Sequence, residues 1–450
     1  MAKSNIAAVI LAAGQGSRMS SVLPKVLHKI AGQPMINHVL AAVTPLNPDV
    51  SLVVIAPSMD AVATAVAPVK VAVQQQPLGT GDAVKAAEPL LKGFTGDILI
   101  LFGDTPLIRT ETLEAMLEAR RGKDDPGVVV LGFQPRDPSP YGRLALDREG
   151  RLDRIVEARE ASPEEKSISL CNSGAMAVDG EILFTLLQKV TNQNAKQEFY
   201  LTDIVALARQ QNRICRIVKA EENELLGIND RMDLAYAEEM MQERLRNAML
   251  KSGVTLQDPR STWLSADTKI ARDVVIEPYV FLGPGVEIGE GAVIHGFSYI
   301  ENAKIAARAA IGPFARLRPG TQIGESARVG NFVEIKNTTL EAGAKANHLS
   351  YLGDAVIGAK ANVGAGTITC NYDGFRKAKT TVGAGAFIGS NTALVAPVTI
   401  GAGAIVGAGS TITRDVASDA VVVARAPQSE TPGAAARFRA RRKSEKSSKA

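Results

Sequence analysis

The chain has 450 residues, enough for more than one domain at roughly 100–200 residues each. Its 51 basic and 47 acidic residues leave a formal charge of only +4, and the excess is local: Arg437, Arg439, Arg441, Arg442, Lys443, Lys446 and Lys449 face only Glu445 near the C-terminus, so the remainder is net −2. That balance argues against a nucleic-acid-binding face, the scattered Cys171, Cys215 and Cys370 against a disulfide framework or metal knuckle, and the want of any apolar run near 20 residues against a membrane span.

Lys3 followed by Ile6–Ala13 imitates a short secretory signal, but the Gly14-Gln15-Gly16-Ser17-Arg18 stretch behind it suits a buried parallel strand ending in a glycine loop. With the unpaired cysteines this predicts a soluble, cytoplasmic protein. Ser51–Ile55, Val69–Val73, Asp97–Phe102 and Gly127–Phe133 are further strand candidates, while Pro34–Val43, Gly81–Leu91 and Thr110–Arg121 read as helices. The alternation predicts an α/β, Rossmann-like domain with a mostly parallel sheet, and directs attention to the loops directly after strands.

Gly14 and Gly16 let backbone amides approach an anion, and Arg18 adds a forked donor for phosphate. A dinucleotide fingerprint would need glycine where Met19 stands, and a Walker loop would need Gly-Lys-Ser/Thr, so neither is supported. Lys25, behind the stiff Pro24, adds a point charge. Each feature alone is equally a turn or a solvated lysine.

Residues 230–252 contain neither Gly nor Pro and predict a linker helix, capped by Asn229, stopped by Gly253 and acting as a connecting rod. Beyond it, aliphatics recur every six residues: Ile270 to Ile300, Ile305 to Ile335, and Val382, Ile388, Leu394, Ile400, Val406 and Ile412. Small residues stand two positions earlier in the last run (Ala386, Thr392, Val398, Ala404, Ser410), so large and small side chains share an inward face. With 22 of the 40 glycines in residues 271–410 and few aromatics, this predicts a parallel β-helix of hexapeptide repeats over 253–427. The register slips between Ile335 and Leu352 and breaks from Thr369 to Thr381; these interruptions hold His348, Tyr351, Asn371 and Tyr372 and mark a candidate binding face. The basic tail, 428–450, is expected to be disordered.

The opening Leu-Ala-Ala-Gly-x-Gly-x-Arg-Met and Pro-Lys, then Gln74, Leu78-Gly79-Thr80-Gly81, Phe102-Gly103-Asp104, Tyr141-Gly142-Arg143, Ile155-Val156-Glu157, Asn172-Ser173-Gly174 and Gly227-Ile228-Asn229, resemble the sugar-phosphate nucleotidyltransferases. With the β-helix, residues 5–427 resemble the bifunctional N-acetylglucosamine-1-phosphate uridylyltransferase/glucosamine-1-phosphate N-acetyltransferase family. The resemblance implies acetyl transfer from acetyl-CoA to glucosamine 1-phosphate on residues 253–427, followed by uridylyl transfer from UTP on residues 1–229, with Mg²⁺. It also implies a left-handed β-helix, a homotrimer formed through it, and a product feeding cell-wall synthesis.

It assigns Arg18 and Lys25 to charge neutralisation, Leu11, Ala12, Ala13, Gly14, Gln74, Gly79 and Thr80 to the nucleotide, Gly142, Glu157, Asn172 and Asn229 to the sugar, and Phe102 and Gly103 to the combined nucleotide and sugar site. Asp104 and Asn229 match the metal ligands. Phe102 stands where the family often has Tyr, so a hydroxyl is missing there. In the second domain His348 matches the base, Arg318, Lys336, Tyr351 and Asn362 the sugar-phosphate contacts, and Ala365, Asn371, Tyr372, Ser390, Ala408 and Arg425 the acetyl-CoA region. Cys370 shows no base to activate it, which favours a structural thiol over an acyl-enzyme. Two rivals stay open: a nucleotidyltransferase whose β-helix only regulates or oligomerises, and a non-catalytic scaffold.

Overall fold

Ile6–Leu11 is apolar and buried at every position, which requires cover on both faces of its sheet. Alternate side chains supply the two layers. Ala8 and Ile10 join Val53, Leu99 and Leu101 beneath the helices Met35–Val43 and Thr110–Arg120; Ala7, Val9 and Leu11 join Leu52, Ile98 and Ile100 beneath Gly180–Leu187 and Asp203–Gln210. The computed structural model describes residues 5–447 in two units, the first reaching to Ala248 and taking in Leu264–Ala266, the second holding Met249–Trp263 and the chain from Asp267.

In the first unit Ile6–Leu11 pairs in parallel with Val50–Ile55 on one side and Asp97–Phe102 on the other. Lys70–Val73 extends the first side; Cys171–Asp179, antiparallel to both its neighbours, then Val128–Phe133 and Cys215–Lys219 extend the second. The chain therefore leaves its first strand toward one edge and returns across it, reversing the strand order between the register partners Leu11 and Phe102. A crevice at the carboxyl ends of the strands belongs at such a switch point. One expected helix differs: Gly81–Leu91 is broken into Thr80–Lys85 and a short 3₁₀ turn Glu88–Leu90, because Pro89 lacks the N–H and crowds the preceding turn.

The long helix spans Arg231–Lys251. Its cap is Asp230 rather than Asn229: Asp230 Oδ1 accepts from the N–H groups of Met232 at 2.8 Å and Asp233 at 3.0 Å. Nor is it a free rod, since Ala237 and Met241 pack with Ile30, Met35, Leu107 and Ile228, and the buried Gln242 donates to the Leu264 carbonyl at 2.6 Å. Gly253, at φ +92°, ends it as expected.

The second unit is a left-handed parallel β-helix. Ile276 lies opposite Ile294, then Ile311, Val329, Ala346, Val363, Ile388 and Val406 follow coil by coil. Three hexapeptides close one coil, giving stacked sheets of 10, 8 and 8 strands. The aliphatics at six-residue spacing point inward, and so do Ala386, Thr392, Val398, Ala404 and Ser410 two residues before them. Shortened corners fall at Asn302, Asn337 and Asp354, all at positive φ, where short polar side chains tolerate the left-handed backbone. Between Val363 and Ile388 one coil is lengthened, and Asn371–Lys377 bulge out as a loop. The tail expected to be disordered instead carries a helix, Ala434–Ser447, with no buried residue; it is built from Ala, Arg and Lys, which favour helix without tertiary support.

Candidate active sites

At the switch point the first strand ends in Leu11–Gly14, and Gly103 donates to the Leu11 carbonyl at 2.9 Å, so the glycine loop and Asp104 emerge side by side. Two cation–oxygen pairs close over this crevice. Lys25 Nζ forms a short ion pair with Asp104 Oδ2, both side chains largely buried, and Arg18 donates to Asn229 Oδ1 at 2.8 Å. The Ile228 N–H binds the Asp104 carbonyl at 3.0 Å, which ties the two loops together. Gly14 has open space around it, while Gly16, at φ +69°, lies against the Lys25 stem with no room for a Cβ. Behind the loop Arg231 donates to the Met19 carbonyl at 3.2 Å and lies 3.2 Å from His28 Nδ1. Arginine only donates, so His28 accepts through Nδ1; burial and then the Arg231 charge push its pKa down, which favours the neutral ring.

Gln74 and Gly79 sit at the same ends of the strands, and the Thr80 hydroxyl accepts from the Leu201 N–H at 3.0 Å. Among the residues expected to meet the sugar, the Asn172 N–H donates to the Gly142 carbonyl at 2.8 Å, and Glu157 accepts from the Thr202 hydroxyl at 3.0 Å. Phe102 packs against the loop after Asn172: a Cβ on Gly174 would fall 2.6 Å from its ring. The ring packs tightly there, and a tyrosine hydroxyl is not needed for that contact. Sequence reasoning missed Thr202, which holds Glu157, and Asp203 beside it, whose carboxyl burial and then Glu160 and Glu157 push up to about 6.

The second cluster is spread over adjacent coils. His348 Nδ1 lies 2.9 Å from Asn331 Oδ1, its register partner one coil earlier. Read as the acceptor, Asn331 Oδ1 fixes the proton on Nδ1 and leaves Nε2 as the free base. Arg318 donates to Glu334 Oε1 at 2.7 Å. Lys377, by direct contact and by charge, and then Arg318 push the Lys336 ammonium below its usual range. Three cations thus crowd one spot, and a cavity of about 390 Å³ opens beside them, lined by Asn337, Asp354, Lys377 and Lys379 among others. Burial raises the Asp354 pKa, but hydrogen bonds from Asn337 and Asn371 outweigh it and leave the carboxyl below its ordinary range.

Tyr351 lies over Gly353, where a Cβ would meet its hydroxyl, and Asn371 borders the same glycine. Ala365, Ser390 and Ala408 form a column of small residues, linked by Asn391 N–H to Ala365 carbonyl at 2.7 Å and Gly409 N–H to Ser390 carbonyl at 2.8 Å. Arg425 lies against Gly409 at the far end of that stack, and Tyr372 stands exposed on the bulged loop. Asn362 shares the ten-stranded sheet with His348, whereas Lys336 and Tyr351 belong to a neighbouring one, so one chain does not gather the full set on a single face. Lys377, Asn331, Glu334 and Asp354 escaped the sequence reading; the one-coil register of 17 residues could have pointed to Asn331. Cys370 is a free thiol and only partly buried.

Residues 8–169 match the MobA-like NTP transferase domain, and residues 267–302 and 379–414 match the bacterial transferase hexapeptide (six repeats). The bifunctional protein GlmU of Paramagnetospirillum magneticum is 56% identical over 449 residues, covering 100% of both chains. That of Rhodospirillum rubrum is 58% identical over 434 residues, covering 96% of this chain and 97% of the relative. That of Rhodopseudomonas palustris is 54% identical over 443 residues, covering 98% and 97%. At such identity over whole chains, with a nucleotidyltransferase fold and a hexapeptide β-helix both present, the chain belongs to the family of bifunctional GlmU proteins.

Proposed function

We propose that the Lys25–Asp104 crevice and the His348 corner are the two active sites of this enzyme. The enzyme acetylates glucosamine 1-phosphate from acetyl-CoA and then transfers uridylyl from UTP to N-acetylglucosamine 1-phosphate, releasing pyrophosphate. The reading assigns uridylyl transfer to residues 1–229 and acetyl transfer to 253–427. The observation that carries it is the pairing of each candidate cation with the oxygen beside it, Lys25 with Asp104 and Arg18 with Asn229, at the switch point of the sheet.

In uridylyl transfer a phosphate oxygen of the sugar phosphate bonds to the α-phosphorus of UTP as the bond to the pyrophosphate oxygen breaks. No strong base is required, because the nucleophile is already anionic; positioning and charge neutralisation carry the step. Lys25 and Arg18 exchange their present partners for phosphate oxygens. Asp104 and Asn229 suit Mg²⁺: both offer hard oxygens, both now face cations, and among the described residues no cluster of three His, Cys, Asp or Glu stands ready to encage a metal, which leaves room for phosphate oxygens and water. Mg²⁺, when bound, offsets charge on the polyphosphate.

In acetyl transfer His348 Nε2 takes a proton from the amine as its nitrogen bonds to the thioester carbonyl; the C–S bond then breaks and the thiolate leaves with a proton. Arg318, Lys336 and Lys377 suit the phosphate of the sugar, and the Ala365–Ser390–Ala408 column suits a narrow thioester carrier. The homotrimer is supported by an exposed ladder, Tyr279, Phe297, Phe314 and Phe332, stacked at centroid distances of 4.9, 4.9 and 5.2 Å. These four occupy left-handed corners and stay 45–60% exposed, an apolar stripe of the kind that neighbouring subunits cover. No helix among the described residues is long and apolar enough to cross a membrane, and three free cysteines suit the reducing cytoplasm.

The test is one assay of the purified chain with glucosamine 1-phosphate, acetyl-CoA, UTP and Mg²⁺, following thiol and pyrophosphate release separately. Pyrophosphate without thiol would leave the β-helix as a regulatory or assembly module. Light scattering tests the trimer, and a monomeric chain with full acetyltransferase activity would overturn it.

A further inference from the structure

Gln74 follows the strand Lys70–Val73 and is almost wholly buried. Its side-chain Nε2 donates twice, to the Gly79 carbonyl at 3.0 Å and to Asp82 Oδ2 at 2.9 Å. Both partners only accept, so the orientation of the amide follows from chemistry: its nitrogen faces Gly79 and Asp82, and Oε1 points the other way, where no donor among the described residues meets it. Neither partner is free to adjust. Gly79 holds φ +112° with Phe199 packed where a Cβ would stand, and Asp82 is fixed in the first turn of the helix Thr80–Lys85.

We propose that Asp82 is the positioning residue for nucleobase selection: by taking one Gln74 amide hydrogen while the Gly79 carbonyl takes the other, it holds Gln74 as an acceptor only toward the base, and so selects uracil over cytosine. Uracil offers an N3–H donor between two carbonyls, which a lone amide oxygen accepts. Cytosine offers a bare N3 lone pair at that point, which the same oxygen repels. Reading cytosine would require the amide to turn over, and its oxygen would then face both the Gly79 carbonyl and the Asp82 carboxylate. The discrimination thus falls on the wrong base, through a buried polar group that cannot re-pair. The inference rests on the reading that Gln74 contacts the nucleotide, and the experiment separates the two.

Steady-state uridylyl transfer with UTP and with CTP is measured on the full chain carrying Asp82→Ala, Gln74→Ala or both. Asp82→Ala is expected to lower the UTP-to-CTP ratio of kcat/KM by about tenfold, the order expected for one mispaired hydrogen bond, with the change in KM for the nucleotide. Adding it to Gln74→Ala should change the ratio no further. If Gln74→Ala lowers the ratio and Asp82→Ala does not, Gln74 reads the base but Asp82 does not direct it, and the proposal is overturned. If Gln74→Ala changes neither KM nor ratio, the nucleotide reading of Gln74 fails and the proposal falls with it. Should Asp82→Ala not fold, Asp82→Leu, which fills a similar space but offers no acceptor, is expected to lower the ratio in the same direction, and an unchanged ratio would overturn the proposal.

Discussion

In the α/β unit the paired side chains come from distant points of the chain: Lys25 and Asp104 are 79 residues apart, Arg18 and Asn229 are 211 apart. In the β-helix the paired residues are one coil apart, Asn331 and His348 being 17 residues from each other. The first arrangement depends on where a doubly wound sheet reverses its strand order, and a local change there is felt by loops from several elements. The second depends on a repeat, so a side chain can be moved by one residue of register and by little else. Crevice geometry is collective, whereas the coil site is periodic.

The largest effect should separate the two units. His348→Ala is expected to reduce acetyl transfer by about 10²–10⁴-fold, the usual worth of a general base, and to leave uridylyl transfer unchanged. Asp104→Ala should do the reverse, by about 10² or more through lost charge organisation. Thiol and pyrophosphate release report the two activities, and loss of both from either substitution in a folded chain would break the comparison.

The next effect turns on whether register alone places His348, the proposed acetyl-transfer base. Asn331→Ala should lower acetyl-transfer kcat by about tenfold, the scale of one orienting hydrogen bond, with the KM for glucosamine 1-phosphate little changed. Asn331→Asp keeps an acceptor and should recover part of the loss, while raising the acidic limb of the pH profile. A uniform fall in kcat and stability for both variants would mean a packing role only.

Lys377 tests the exception to periodicity, since it sits on the bulged loop. Lys377→Ala should raise the KM for glucosamine 1-phosphate by about tenfold, as expected of one charge-assisted contact, and should return the Lys336 ammonium toward its ordinary range, because Lys377 is the chief cause of its depression. An unchanged KM would remove Lys377 from the phosphate cluster.

What could be read from the sequence follows the same division. Ile6–Leu11 and Asp97–Phe102 announce themselves as buried strands by unbroken apolar runs, and the aliphatics from Val382 to Ile412 announce the β-helix by spacing. Both are signals of burial, and burial leaves a period. The Lys25–Asp104 pair leaves none, because it forms only once the sheet has folded. Lys377 was invisible for another reason: its loop interrupts the repeat, and nothing in the spacing says where its side chain turns. The cap was misplaced by one residue since Asn229 and Asp230 are both good caps, and Asn229 is drawn instead toward Arg18 and the Gly227 carbonyl.

The smallest effect concerns the first unit alone. Asp203 sits at the start of the helix Asp203–Gln210, its carboxyl raised to about 6 by burial and then by Glu160 and Glu157. A raised folded-state pKa means that the ionised form is the disfavoured one. Below the ordinary carboxyl range Asp203 is protonated in both folded and unfolded chains and contributes nothing; as pH climbs from about 4 through about 6, ionisation becomes a penalty carried only by the folded state. Asp203→Asn should therefore stabilise the unit at pH 8 by about 1 kcal/mol, after discounting for partial exposure, a rise of about 2–4 °C in Tm. At pH 4 the two chains should melt together. No counterpart effect is expected in the β-helix, where Asp354 is shifted the opposite way by its amide donors; Asp354→Asn should remove stability at pH 8 and cost little at pH 3, so thermal melts of the two variants across this range should diverge in opposite directions.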